Sequence, residues 1–120
     1  MFRRNNNLGK HYSDGEIVIK QGTVGKCLYV IQQGTVEVIK ESGDKEIKIT
    51  ELGKAEFFGE MSLFENDLRS CTVKAKGDAT ILTLDKRGLY KTIQNDPTLA
   101  FRMLEKMSNR LRETDKKLVY

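Results

Sequence analysis

Between Tyr12 and Leu84, apolar and polar residues alternate in short runs punctuated by glycine, the period-two pattern of half-buried strands. Glu16 to Lys20 reads as a first short strand, closed by Gly22. Cys27 to Gln32 reads as a second, and Gln33-Gly34 predicts a turn into Val36 to Lys40, where the alternation is clean. Ser42-Gly43-Asp44 is a hairpin signal leading to a strand with Ile47, Ile49 and Leu52 on one face. Further on, Arg69 to Lys76 and Ala79 to Leu84 predict two more strands about Gly77-Asp78. Several short strands at near-regular spacing point to a sandwich or jelly-roll barrel.

The period changes after Leu84. Asp85 is a candidate N-cap for a helix through Ile93, and Asn95-Asp96-Pro97 breaks that helix. Pro97 suits the first turn of a second helix running toward Lys117. Along it Ala100, Leu104, Met107, Leu111, Thr114 and Leu118 follow steps of four, three, four, three and four. That is a heptad seam, which either packs on its own barrel or pairs with a second chain. Met1 to Lys10 is polar and reads as a loose lead-in. The pattern predicts one mainly β domain over 1–120: an antiparallel, jelly-roll-like β-roll at about 12–85, then two C-terminal helices at about 86–118.

Composition narrows the function classes. With 120 residues the chain can bury one core but not two. No apolar run approaches membrane-spanning length, and Met1 to Asn7 lacks the apolar stretch of a secretory signal, so a cytoplasmic location without membrane contact is expected. The net charge of +4 raises nucleic acid as a partner. Much of the excess, however, lies on Arg102, Lys106, Arg110, Arg112, Lys116 and Lys117, at outward helix positions where a solvated face is the ordinary explanation. Cys27 and Cys71, far apart in strand-like segments, read as reduced, buried thiols. The single histidine, His11, falls in the lead-in as a surface residue. It cannot assemble a multi-histidine metal site or a histidine-based catalytic base. No catalytic residue, metal or cofactor is expected, and the chain is expected not to be an enzyme.

Candidate chemistry concentrates in Phe57-Phe58-Gly59-Glu60-Met61-Ser62-Leu63-Phe64-Glu65-Asn66-Asp67-Leu68-Arg69-Ser70-Cys71-Thr72-Val73. Gly59 permits a tight backbone turn and brings amide groups close to whatever sits above it. Glu60 to Leu63 can form one short helical turn whose unpaired first N–H groups face an anion, and Gly59, Met61 and Ser62 can offer them. Nine residues after Glu60, Arg69 supplies a planar five-donor fork and Ser70 a hydroxyl. An anion cradle beside a carboxylate suits a ligand carrying phosphate and hydroxyl groups, as a cyclic ribonucleotide does. A salt bridge between Glu60 and Arg69, tying turn to strand, is the structural alternative.

Phe58-Gly59-Glu60-Met61-Ser62-Leu63, a short spacer and Arg69-Ser70-Cys71-Thr72-Val73 resemble the phosphate-binding cassette of cyclic-nucleotide-binding domains. That family includes the catabolite activator type of bacterial regulator, the regulatory subunit of the cyclic-AMP-dependent kinase, and nucleotide-gated channels. The resemblance implies that Glu60 accepts the ribose 2′-hydroxyl and that Arg69 pairs the cyclic phosphate. Met61 and Cys71 would present apolar or soft surface to sugar and base, and the strand from Ile47 to Leu52 the opposite wall. Gly22 to Gly34 resembles the family's glycine-punctuated hairpin, which implies a structural role and no chemistry. The spacer Phe64 to Leu68 lacks the glycine and proline that kinase-type cassettes often carry, and Leu63-Phe64-Glu65 is closer to the bacterial type. Family members usually carry more helix before the first strand, so the N-terminus looks shortened.

Arg110-Leu111-Arg112-Glu113-Thr114-Asp115-Lys116-Lys117 resembles the end of the catabolite activator's dimer helix. That implies a contact from Thr114 to the adenine amino group and a place for Asp115 in the neighbouring subunit's pocket. The expectation is a sensor module for cyclic AMP, with cyclic GMP as the other candidate ligand. It would pair into a homodimer through its last helix and couple occupancy to that helix's movement. The alternative is a DNA-binding transcription regulator cut short of its reading head, touching nucleic acid only through a domain absent from this chain.

Overall fold

A computed structural model describes residues 9–59 and 68–117, with side chains described as far as residue 109. Contacts divide the chain into two compact units, Met1–Lys86 and Arg87–Tyr120. The first unit holds a six-stranded antiparallel sheet: β1 (Lys10–Tyr12), β2 (Ile17–Ile19), β3 (Leu28–Ser42), β4 (Lys45–Leu52), β5 (Phe57–Phe58) and β6 (Thr72–Leu84). Its path runs β1-β6-β3-β4, with β2 pairing β6 and β5 pairing β3. The long central pair β3–β6 carries the core, where Ile31, Val36, Ala75 and Ile81 are almost wholly buried among Tyr12, Ile19, Phe58, Val73 and Ala79. The fold is the mainly β class with two C-terminal helices that the hydrophobic pattern predicts.

Two predicted turns are not turns. Gln33-Gly34 lies inside β3, and Gly77-Asp78 lies inside β6; each stretch read as two strands is one. Gln33 pairs Thr80 while Thr35 pairs Lys76, so the register slips where Gly34 faces the Gly77–Ala79 stretch. Gly34 sits at φ 90° and Gly77 at φ 75°. A Cβ at Gly34 would collide with the Asp78 carbonyl oxygen and lie 2.8 Å from the Ala79 Cα. Both glycines therefore serve a paired bulge, in which the strands bend together without reversing.

Three smaller corrections concern strand ends. The predicted loose lead-in ends sooner than expected, because Lys10 to Tyr12 pairs with Ile81 to Ala79. His11 thus lies on a strand, opposite Thr80 and exposed, with its Nε2 3.7 Å from Asp78 Oδ1. Arg69, Ser70 and Cys71 precede β6 rather than opening it, and Cys27 immediately precedes β3. Of Ile47, Ile49 and Leu52, only Leu52 packs against the core. Ile47 and Ile49 are about half exposed on β4, at the sheet edge, where the register with β3 shifts between Val38 and Ile39.

In the second unit, α1 (Lys86–Asn95) follows Asp85, and α2 (Pro97–Lys117) begins at the proline, as the capping and breaking signals predict. Asp96 joins them: its N–H bonds the Thr92 carbonyl, and its carboxylate accepts from the Thr98 N–H at 3.2 Å. This is an N-cap satisfying one of the orphan donors of α2. Phe101 and Leu104 on α2 are exposed, and Met107 is 38% exposed.

Candidate functional site

The site is built around Arg69, which enters the sheet through paired backbone rather than through β6 itself. Its N–H donates to the Thr23 carbonyl at 2.8 Å, and its carbonyl accepts from the Gly22 N–H at 2.9 Å. Val24 and Leu68 bridge alongside. Thr23 is in turn held to the Lys20 carbonyl by both its N–H and its hydroxyl. One short arm of chain, residues 22–24, therefore grips the arginine's main chain on both sides.

A second clamp lies at the adjoining start of β6. The Thr72 hydroxyl accepts from the Gln21 N–H at 2.9 Å and donates to the Glu41 carboxylate. The Gln21 side chain bonds both backbone groups of Glu41, at 3.0 and 2.8 Å. Lys20 Nζ donates to the same carboxylate at 2.8 Å. The Lys20 hydrogen bond, and then that of Thr72, holds the Glu41 carboxyl below its usual range. These bonds tie the ends of β2 and β3 to the segment carrying Arg69.

Arg69 is buried, only 8% of the residue being exposed, which for a cation requires compensation. Its Nη1 donates to the Gly59 carbonyl and its Nη2 to the Cys27 carbonyl, each at 3.2 Å. Its Cζ lies 5.7 Å from the centre of the Tyr29 ring, within reach of a cation–π attraction. Tyr29 stacks on Phe58, its cross-strand partner, with ring centroids 5.1 Å apart and planes 8° from parallel. Burial pushes the Tyr29 hydroxyl's pKa up, an effect opposed by the neighbouring guanidinium. Among the described residues no carboxylate pairs with Arg69. Two of the guanidinium's donors rest on carbonyl oxygens, and among the described residues nothing else takes a hydrogen bond from it, an arrangement suited to holding an anion.

Gly59 brings two properties together here. Its φ of 81° lies in the left-handed region, and a Cβ on it would come 2.7 Å from Arg69 Nη1 and 3.1 Å from the Cys27 carbonyl oxygen. Its carbonyl fastens the arginine, a role distinct from the N–H donation expected of it. Ser70 is exposed, and its carbonyl accepts from Lys40 Nζ at 3.1 Å. Cys71 and Cys27 are free thiols, as expected, but half-buried rather than buried. Glu60, Met61 and Ser62 lie outside the described residues, so the cassette turn and any Glu60–Arg69 pairing lie outside them too. Thr114 and Asp115 fall within α2, but their side chains are outside the described set.

Sequence reasoning missed the Cys27 carbonyl as a hydrogen-bond acceptor in the site, Tyr29 as an aromatic support, and residues 22–25 as more than a structural hairpin. Backbone acceptors carry no residue signature, so only Tyr29, an aromatic directly opposite Phe58, offered a sequence clue.

Residues 9–96 match the family described as cyclic nucleotide-binding domain. Over 70 residues the chain is 40% identical to the cAMP-dependent protein kinase type II regulatory subunit of Drosophila melanogaster, covering 58% of this chain and 19% of that one. Over 108 residues it is 32% identical to the cyclic AMP receptor protein of Thermus thermophilus, covering 89% of this chain and 50% of that one. The crystal structure of the Thermus thermophilus catabolite activator protein superposes with a TM-score of 0.77 at 32% identity, over 91% of this chain and 52% of that one. The chain thus spans half or less of the length of these relatives. With a buried arginine whose described side-chain partners are two carbonyls and an aromatic ring, and a family match running from β1 to the end of α1, the chain belongs to the cyclic nucleotide-binding domain family.

Proposed function

We propose that this domain binds a cyclic mononucleotide, cyclic AMP in preference to cyclic GMP, and that occupancy is coupled to movement of α2. The observation that carries the proposal is Arg69, a buried cation whose described partners are two neutral carbonyls and an aromatic face. A buried positive charge with no counterion among the described residues favours an anion of matching geometry, and a cyclic phosphate presents two exocyclic oxygens to a planar fork. Glu60 would accept the ribose 2′-hydroxyl, with Gly59, Met61 and Ser62 lending backbone N–H groups. Ser70 would add a neutral donor, and Cys71 a soft wall. Thr114 would read the adenine amino group, with Asp115 contributing to the pocket of a second subunit. Coupling requires that the nucleotide bind one arrangement of the helix more tightly than the other.

The protein is proposed to act without catalysis or a cofactor, in the cytoplasm, as a homodimer through α2. Exposed Leu104 and Met107, beside partly buried Ala100, support the pairing seam. No described helix is long and apolar enough to cross a membrane. A second reading, the sensor portion of a DNA-binding transcription regulator, is favoured by the half-length match to the Thermus thermophilus receptor protein. Nucleic acid would then be touched by a domain outside this chain, and the open reading frame beyond Tyr120 decides between the two.

Calorimetric titration with cyclic AMP and cyclic GMP tests the binding. Saturable one-to-one binding per chain, tighter for cyclic AMP, is expected. Absence of saturable binding of either nucleotide by the folded protein overturns the proposal.

A further inference from the structure

Gly25 is a glycine that its own backbone does not require. Its φ lies outside the left-handed region occupied by Gly15, Gly22, Gly34, Gly43, Gly59 and Gly77. An alanine there would be unstrained as far as the main chain is concerned. What a side chain there would lack is space: a Cβ on Gly25 would overlap Nη2, Cζ and Nε of Arg69, closer than real Cβ contacts come, so the guanidinium would have to shift. The guanidinium lies across the α-carbon of Gly25 while its Nη2 reaches the carbonyl of Cys27, two residues further on.

The same arm holds the arginine's backbone through Gly22 and Thr23. Main-chain grip, a gap for the guanidinium and one of its two carbonyl acceptors all come from residues 22–27. We infer that this loop is the seat of the anion-binding arginine, and that Gly25 is a positioning residue for ligand binding that acts through Arg69. The inference rests on the reading of Arg69 as the phosphate partner and extends it to what sets the guanidinium's orientation.

The physical consequence is preorganisation. A fork held at two corners presents its remaining N–H groups in one direction, and binding then costs little further ordering of that side chain. A methyl group at position 25 forces the guanidinium off one or both carbonyls. The charge survives, since a guanidinium does not deprotonate in proteins, but its aim is lost.

The test compares wild type, Gly25→Ala, Arg69→Lys, Gly25→Ala/Arg69→Lys and the control Gly53→Ala. Gly53 has an unexceptional φ, and a Cβ there would meet only the Gly34 carbonyl oxygen, at 3.9 Å. Cyclic AMP affinity is measured by calorimetry, and the Arg69 guanidinium N–H signals are followed by NMR without ligand. Gly25→Ala should weaken binding by roughly tenfold, the scale on which one misaligned charged hydrogen bond acts. Gly53→Ala should match wild type. In the Arg69→Lys background, which has no fork to displace, the same substitution should change affinity less than twofold. Wild type and Gly53→Ala should show slowly exchanging guanidinium signals that Gly25→Ala loses.

Equal losses from Gly25→Ala in both backgrounds would overturn the inference, as would wild-type affinity together with unchanged guanidinium signals. Should Gly25→Ala alone fail to fold, the double variant should regain folding and match the affinity of Arg69→Lys; a double variant that also fails overturns the inference. If the wild-type protein binds no cyclic nucleotide, the proposed function falls, and the ligand-free guanidinium signals still decide whether Gly25 seats Arg69.

Discussion

Truncating Arg69 to alanine should produce two separable losses, one in the fold and one in the site. The residue is 8% exposed, and its side chain bonds the Gly59 and Cys27 carbonyls at 3.2 Å each. Removing it leaves two part-buried acceptors short of a donor, at about 1–3 kcal/mol for each if both stay dry. Water entering the vacated space would satisfy part of that demand, and the desolvation of a buried cation is relieved at the same time. The net cost to folding is therefore expected at the low end, about 1–2 kcal/mol. Binding should suffer more. Deleting one partner of a buried charge pair typically costs about 2–5 kcal/mol, or some thirty- to several-thousand-fold in affinity. Urea unfolding reads the first loss as a lowered midpoint at unchanged slope. Calorimetry with cyclic AMP, well below that midpoint, reads the second. A folded Arg69→Ala variant that keeps wild-type affinity refutes the assignment of Arg69 to the phosphate. Wild-type stability would instead show that the two carbonyl bonds contribute nothing net.

Three further outcomes follow from other parts of the molecule. If Glu60 accepts the ribose 2′-hydroxyl, 2′-deoxy cyclic AMP should bind wild type more weakly, and Glu60→Gln should discriminate much less; equal binding of both sugars to wild type by calorimetry assigns Glu60 to the fold. Hydrogen bonds from Lys48 and then Lys76 hold the Glu51 carboxyl at about 2, below its ordinary 4.5. A depressed carboxylate contributes stability that is present above pH 4.5 and lost as pH falls through about 2, so Glu51→Gln should flatten that limb of the urea midpoint against pH. The effect should be small and shrink with salt, because all three side chains meet solvent, and a wild-type acid limb in the variant shows that this cluster contributes nothing to acid stability. Gly34→Ala should cost more than Gly43→Ala: the φ of 62° at Gly43 carries only the left-handed penalty of about 1–2 kcal/mol, while Gly34 adds a collision with Asp78. Equal urea midpoints for the two variants would show that the paired strands yield freely at the bulge.

The β-roll and both helices were legible because their causes are local. Alternation along Val36 to Lys40, the N-cap signal of Asp85 and the break at Asn95-Asp96-Pro97 all act within a few residues, and the structure starts its helices at Lys86 and Pro97 accordingly. Arg69 was legible through its nine-residue spacing from Glu60 and the cassette pattern around it. Strand continuity was not, because Gly34 and Gly77 have the same appearance in a tight turn and in a bulge. The choice between the two depends on what lies across the sheet. Here Gly34 meets the backbone of Asp78 and Ala79, and the close approach of two β strands decides for the bulge. The pairing of Lys10 to Tyr12 was hidden for a similar reason: three residues hold no pattern, and their partner strand lies at the far end of the unit.

Glycine's two uses separate at this site. Gly59 combines them, needing a left-handed φ and also standing against Arg69 Nη1. Gly22 needs the φ alone, since a Cβ there would meet nothing within 4 Å. Gly25 needs the space alone. A turn signal reports the first requirement, since it follows from the chain's own path. The second arises only once a distant side chain has been laid across the position, and it disappears if that side chain is removed. Replacing Arg69 should accordingly relax the constraint on Gly25 while leaving the one on Gly22 intact, so alanine at 25 becomes tolerable in an Arg69 variant and alanine at 22 does not. A glycine conserving space for a functional group is thus distinguishable from one conserving a turn by which second substitution rescues it.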